Sequence, residues 1–208
     1  KNLAFFAPLV FEGSFFEPDK FFLTVWGFVI FSIAASGIYI LNDVIDIKKD
    51  QAHPFKSKRP IAAGVLNPQL AALVSFGLLT VAIFLSSGFS TFFMWAIIAY
   101  IVLQIFYSLF LRSLILLDVM AIASGFLLRV YAGAVLIDAH VTIWFILTVA
   151  SLALFLAIGK RRSERTLILG SKVKDLTSRE ILHHYPENLL DSLTVMFATA
   201  CWFSYTMF

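Results

Sequence analysis

Long, unbroken apolar runs dominate the chain. Residues 21–41, 69–87, 91–111, 141–159 and 192–208 contain no charged residue. Each is close to the roughly 20 residues a helix needs to cross a bilayer. Residues 114–137 form a sixth run, apolar except for Asp118 and Arg129. Residues 2–16 form a shorter run broken by Glu12, which reads either as the remnant of a further span or as a half-membrane segment. None of the runs alternates with a period of two, so the backbone groups must be satisfied within helices rather than between the strands of a barrel. The pattern predicts an all-α fold, a polytopic transmembrane helical bundle of six spans and a candidate seventh.

The polar segments between the runs alternate in charge. Segment 42–65 carries Lys48, Lys49, Lys56, Lys58 and Arg59, the turn after residue 111 carries Arg112, and segment 160–187 carries seven more basic residues. Together they hold 13 of the 16 lysines and arginines, and the turns at 88–90 and 138–140 hold none. The positive-inside rule places the basic segments in the cytoplasm. Composition agrees with a membrane protein: 60% of the 208 residues are hydrophobic, 14% are charged and the mean hydropathy is +0.89. A soluble domain carries about 25% charged residues. Disorder and nucleic-acid binding are excluded as readings of the whole chain. One cysteine, Cys201, rules out an intrachain disulfide. No cleavable signal peptide is visible, and the chain reads as one domain over 1–208, truncated at both ends.

Candidate chemistry begins where the first long run ends. Asp43, Asp46 and Asp50 follow Asn42 at spacings i, i+3 and i+7. On a continuous helix they fall within roughly 60° of one another. Three carboxylates on one face repel, and a divalent cation relieves that repulsion. Magnesium suits the oxygen donors and is usually shared between a few carboxylates and substrate phosphates. The competing reading is a solvated helix end with Lys48 and Lys49 pairing the acids. Lys56, Lys58 and Arg59 follow, and metal on one side with cations on the other makes a clamp for a diphosphate.

Asn42-Asp43-x-x-Asp46-x-x-x-Asp50 with Lys58-Arg59-Pro60-Ile61-Ala62-Ala63-Gly64 resembles the first signature of the UbiA superfamily of intramembrane prenyltransferases. The resemblance is closer to its decaprenyl-phosphate phosphoribosyltransferase branch. It rests on Lys1-Asn2-Leu3, Phe6-Ala7-Pro8-Leu9, Tyr107-Ser108-Leu109-x-Leu111-Arg112, Leu117-Asp118-Val119, Gly125-Phe126-x-Leu128-Arg129-x-x-Ala132-Gly133 and Gly159-Lys160-Arg161-Arg162-x-Glu164. The family implies a bundle of nine helices in the full parent, about seven of them in this chain, around a central cavity. It also implies Mg2+ and a diphosphate held by the aspartates. Two departures stand out. Ile122 occupies the position of the second acid in an Asp-x-x-x-Asp pair, which weakens the aromatic-prenylating reading, and Arg112 stands where the phosphoribosyl branch would have Lys.

Ionisable residues inside a span are functional candidates by default. Asp118 and Arg129 share one helix face, roughly 16 Å apart along the axis and too far to pair directly. Asp118 is expected at the level of the first aspartates, while Arg129, beyond the midplane, acts on substrate or snorkels outward. Lys160, Arg161 and Arg162 either enforce topology or bind a second phosphate. His183 and His184 lack partners at ligand spacing and read as surface residues, and His53 as a minor contact.

The expected function is a transferase with Asp43, Asp46, Asp50 and Asp118 catalytic, the first three also binding Mg2+. Asn42, Lys56, Lys58, Arg59, Tyr107, Arg112, Arg129, Lys160, Arg161 and Arg162 are the expected substrate contacts. The resemblance implies phosphoribosyl pyrophosphate and a polyprenyl phosphate lipid as substrates, in a multi-pass protein of the cell membrane with its site facing the cytoplasm. A homo-oligomer is neither required nor excluded. The rivals are a prenyltransferase acting on an aromatic acceptor and, more distantly, a transporter, although the chain shows no related halves.

Overall fold

The computed structural model describes residues 1–53, 55–170 and 186–208. Helices α1 (Ala7–Phe11), α2 (Pro18–Ile45), α3 (Ile47–Gln51), α4 (Pro68–Ser87), α5 (Thr91–Leu109), α6 (Leu117–Leu136), α7 (Ile143–Gly170) and α8 (Glu187–Met207) follow one another, and no strand occurs among the described residues. Five helices are long and apolar enough to cross a membrane: α2, α4, α5, α6 and the Ile143–Thr166 part of α7. The remaining expected span, 192–208, lies in α8, which is not among the five. Ser192, Thr194, Thr199, Ser204 and Thr206 dilute its apolar content.

Local sequence explains the boundaries. Pro18 and Pro68 open α2 and α4 at positions where a missing N–H costs nothing. Asn67 caps α4 by accepting from the Gln69 backbone N–H at 2.8 Å. Helix α7 runs on through Gly170 rather than ending at the membrane edge. Glu164 lies 3.8 Å from Lys160 and 2.5 Å from Arg161, pairs one helical turn apart that favour continued helix. The remainder of the expected loop, with His183 and His184, lies outside the described residues.

Neighbouring helices pack as α2 with α4, α4 with α5, α5 with α6, α6 with α7 and α7 with α8. Ends therefore alternate, and the 42–65 and 112–113 segments and the start of the expected 160–187 loop fall at one end. The N-terminal run is a 3-10 turn (Asn2–Phe6) followed by α1. It wedges against α2 and α6, with Phe5 completely buried. A Cβ added at Gly133 would stand 2.2 Å from the Phe5 carbonyl oxygen. Gly133→Ala should therefore displace the wedge and destabilise the bundle by about 1–3 kcal/mol, read as a lower melting temperature in detergent.

Arg129 ties this wedge to the core instead of snorkelling. It is 4% exposed. Its guanidinium donates to Asn2 Oδ1 (3.1 Å), the Gly125 carbonyl (2.5 Å) and Tyr100 Oη (2.9 Å), and lies over the rings of Tyr100, Phe31 and Phe126. Asn2 in turn donates to Ser32 Oγ at 3.1 Å. Polar partners from three parts of the chain make outward escape unnecessary.

Candidate active site

Helix α2 stops at Ile45, and Asp46 adopts φ −91°, ψ 7° before α3 begins. The aspartates are thus not on one continuous helix as expected: Asp43 lies in the last turn of α2, Asp46 is the break and Asp50 lies in α3. Asp43 and Asp50, seven residues apart, still face one another's side of the chain. Arg59 Nη1 donates to Asp43 Oδ1 at 2.7 Å and to Asp50 Oδ2 at 2.8 Å. Arg59 arrives on an extended residue after the Lys56–Lys58 turn, and that loop is held by Gln51 donating to the Ala62 carbonyl at 3.3 Å. Asp46 turns to Arg112, which donates to both of its carboxylate oxygens, at 2.5 and 2.8 Å. Arginines make the close contacts to this cluster, and Lys49 and Lys56 add a weaker favourable field at Asp46. A fork at position 112 fits that two-pronged contact as a lysine would not.

These hydrogen bonds hold the Asp46 carboxyl below the usual carboxylate range, with burial opposing them, and push Arg112 up for the same reason. A depressed carboxyl contributes stability above its unfolded value, near pH 3.9, and loses it as pH falls through the lower folded value. Melting curves of the protein and of Asp46→Asn should therefore differ most above about pH 4 and converge in stronger acid.

A second cluster forms where α5, α6 and α7 meet. Asp118 is completely buried. Its Oδ1 accepts from Tyr107 Oη at 2.9 Å and Arg161 Nη2 at 3.1 Å, and its Oδ2 from Arg161 Nε at 2.5 Å. Arg161 also donates to Glu164. Leu116, with φ 66°, bends the backbone just before α6 and sets where Asp118 enters the helix. The two clusters are neighbours: both Tyr107 and Asp50 contribute to the field at Arg112. Asp118 is thus linked through Tyr107 to the surroundings of Arg112.

Other expected contacts are more peripheral. Asn42 is half-buried, and Lys56, Lys58 and Lys160 are exposed. Arg162, also exposed, pairs with Asp191 of α8 at 2.8 Å. Arg129 belongs to the N-terminal wedge rather than to this layer. Glu164 was not singled out as a site residue, although its i+3 spacing from Arg161 was a visible signal. No group of three metal-ligating side chains gathers among the described residues, so the expected three-aspartate metal set is not assembled. Asp43 and Asp50 nevertheless meet at one cation, and two carboxylates with substrate phosphates are a sufficient donor set for magnesium. Apolar space lies beyond this layer. A cleft of about 500 Å³ opens between α5, α6 and α7 at Leu103, Leu127 and Phe145, and one of about 250 Å³ lies between the N-terminal segment and α6, α7 and α8 at Ala7, Phe126 and Leu152.

The model of the UbiA prenyltransferase family matches residues 3–164. The chain belongs to this family. Among curated UbiA-like relatives, it is 39% identical to a decaprenyl-phosphate phosphoribosyltransferase of Mycolicibacterium smegmatis, over 96% of this chain and 63% of the relative. It is 36% identical to the protein of that name from Corynebacterium glutamicum, over 86% of this chain and 54% of the relative. The chain therefore spans less than two thirds of their length. A UbiA homolog from Archaeoglobus fulgidus, solved bound to DMAPP and Mg2+, superposes with a TM-score of 0.74 at 19% identity, covering 88% of this chain and 66% of that one. The same fit holds for a structure bound to GPP and Mg2+. The fold is thus UbiA-like, and the five apolar helices make this a multi-pass membrane protein.

Proposed function

We propose that this UbiA protein transfers 5-phosphoribose from phosphoribosyl pyrophosphate to a decaprenyl or similar polyprenyl phosphate, releasing pyrophosphate, at the cytoplasmic face of the cell membrane. The product is a precursor for cell-wall arabinan. The observation that carries the reading is the layer of carboxylates and arginines at the basic end of the bundle. The names of the relatives at 33–39% identity support it. Two phosphorylated substrates present three phosphate groups in all, counting the diphosphate as one. Arg59, Arg112, Lys56, Lys58 and Lys160 supply separate cations around them.

Asp43 and Asp50 would hold magnesium, which when bound neutralises the diphosphate and eases its departure. Arg59, 42% exposed and shared between those two carboxylates, is free to turn to a phosphate oxygen once another cation relieves it. Arg112 and Asn42 line the same edge. The lipid phosphate oxygen forms the new bond to the anomeric carbon as the carbon–oxygen bond to the diphosphate breaks, the electron pair leaving with pyrophosphate. The protein's part is to orient both substrates and to stabilise the departing charge. The apolar clefts suit the isoprenoid tail.

The experiment is incubation of membranes carrying the protein with phosphoribosyl pyrophosphate labelled in the ribose, or with a labelled prenyl diphosphate and 4-hydroxybenzoate. Label should enter the lipid extract from the first and no prenylated aromatic should form from the second. The reverse result establishes the aromatic-prenylating rival.

A further inference from the structure

Leu116 and Asp138 are the two non-glycine residues with positive φ among the described residues. Asp138, just beyond the far end of α6, has a side chain of a type that enters the left-handed region readily. Leu116 does not, and it lies in a different region. At φ 66°, ψ −42°, with the Leu117 N–H donating to the Ile115 carbonyl at 2.8 Å, it is the centre of a γ-turn of the rare, strained hand. A leucine Cβ disfavours this backbone, which glycine adopts freely. We infer that the turn is a taut link, and that Leu116 is a positioning residue acting through Arg112: its strained, stiff backbone fixes where the Arg112 guanidinium stands relative to α6. The part of this that concerns turnover rests on the reading of Arg112 as a contact of the diphosphate.

Residues 110–116 alone join α5 to α6, and both ends of that connection are pinned to other helices. Arg112 donates to both carboxylate oxygens of Asp46, at the end of α2. Asp118 is held by Arg161 of α7. Between the pins the chain closes on itself. The Leu114 N–H donates to the Leu111 carbonyl at 3.1 Å, the Asp118 N–H to the Leu114 carbonyl at 3.1 Å and the Met120 N–H to the Leu116 carbonyl at 2.9 Å. Little slack remains, and the deformation collects at Leu116.

A sparsely populated backbone conformation persists only where its surroundings over-determine it. Leu114, Ile115, Leu116 and Leu117 are 47%, 40%, 42% and 42% exposed, so the turn is not a feature of the packed core. The two ion pairs impose it. Glycine would suit position 116 better if stability alone mattered. Leucine instead narrows the backbone conformations open to the link, which keeps Arg112 in one place.

The test compares melting curves and turnover of purified variants in one detergent, with whichever diphosphate donor the unmodified protein consumes. Leu116→Gly should melt about 2–4 °C above the parent, because the strain is gone. It should also turn over at least about fivefold more slowly, because Arg112 is loosened. Leu116→Ala keeps the Cβ and should show neither the gain in melting temperature nor the loss of turnover. In an Arg112→Gln background one pin is already released, and adding Leu116→Gly should raise the melting temperature by less than about 1 °C. Asp46→Asn supplies the same background if Arg112→Gln does not fold. A melting temperature of Leu116→Gly at or below the parent's, or an equal gain in both backgrounds, would overturn the taut link. Parent-like turnover in Leu116→Gly, or an equal loss in Leu116→Ala, would overturn the positioning role. If Arg112→Gln itself turns over like the parent, the diphosphate reading of Arg112 fails and the positioning role with it, while the melting comparison still decides the link.

Discussion

Asp43→Asn is expected to lower turnover by about 10²–10³-fold while leaving the bundle folded. The carboxylate sits at the end of α2 with its side chain 33% exposed, outside the apolar core, and its ion pair with Arg59 is also open to solvent. Exposed pairs of this kind contribute about 1 kcal/mol or less to stability. The melting temperature should hardly move. Among the described residues the same carboxylate is one of two that converge on Arg59, so its loss removes half the charge that would meet a metal. Steady-state rates at limiting magnesium are the measurement. Near-parent turnover there would remove Asp43 from the metal assignment.

The largest effect on stability should come from the other cluster. Removing one member of the Asp118–Arg161 pair, as in Arg161→Gln, leaves a buried charge without its partner and should cost about 3–5 kcal/mol. Replacing both by apolar residues of similar size, Asp118→Leu with Arg161→Met, should recover much of that loss, because no charge is then stranded. Thermal denaturation of the three proteins in one detergent checks this. Equal loss in the single and double variants would mean that packing, not charge, holds α6 to α7.

Much of this architecture is legible from local pattern. The apolar runs locate α2, α4, α5, α6 and α7 because a span must satisfy its backbone within itself and cover its surface with apolar side chains. The alternation of basic segments follows from the same alternating ends that bring Asp46 and Arg112 together. The identity of the aspartates and arginines was visible, but their partners were not. Asp118 and Arg161 are 43 residues apart, Asp46 and Arg112 are 66 apart, and Arg129 and Asn2 are 127 apart. Such pairs depend on which helix faces dock, which periodicity does not encode. The break at Asp46 escaped for a related reason: Val44-Ile45-Asp46-Ile47 disfavours a continuing helix only weakly, and the turn is consistent with Arg59 and Arg112 drawing the carboxylates in different directions.

Assembly and donor choice meet in one measurement. Purified protein is given phosphoribosyl pyrophosphate carrying one isotope in the ribose and another in the β-phosphate, together with polyprenyl phosphate and magnesium, and the products are partitioned between organic and aqueous phases. The account requires the ribose label to enter the organic phase in step with release of the β-phosphate label as pyrophosphate, and Asp43→Asn to suppress both together. Ribose label confined to the aqueous phase, under conditions in which the same protein joins a prenyl diphosphate to an acceptor, would contradict it.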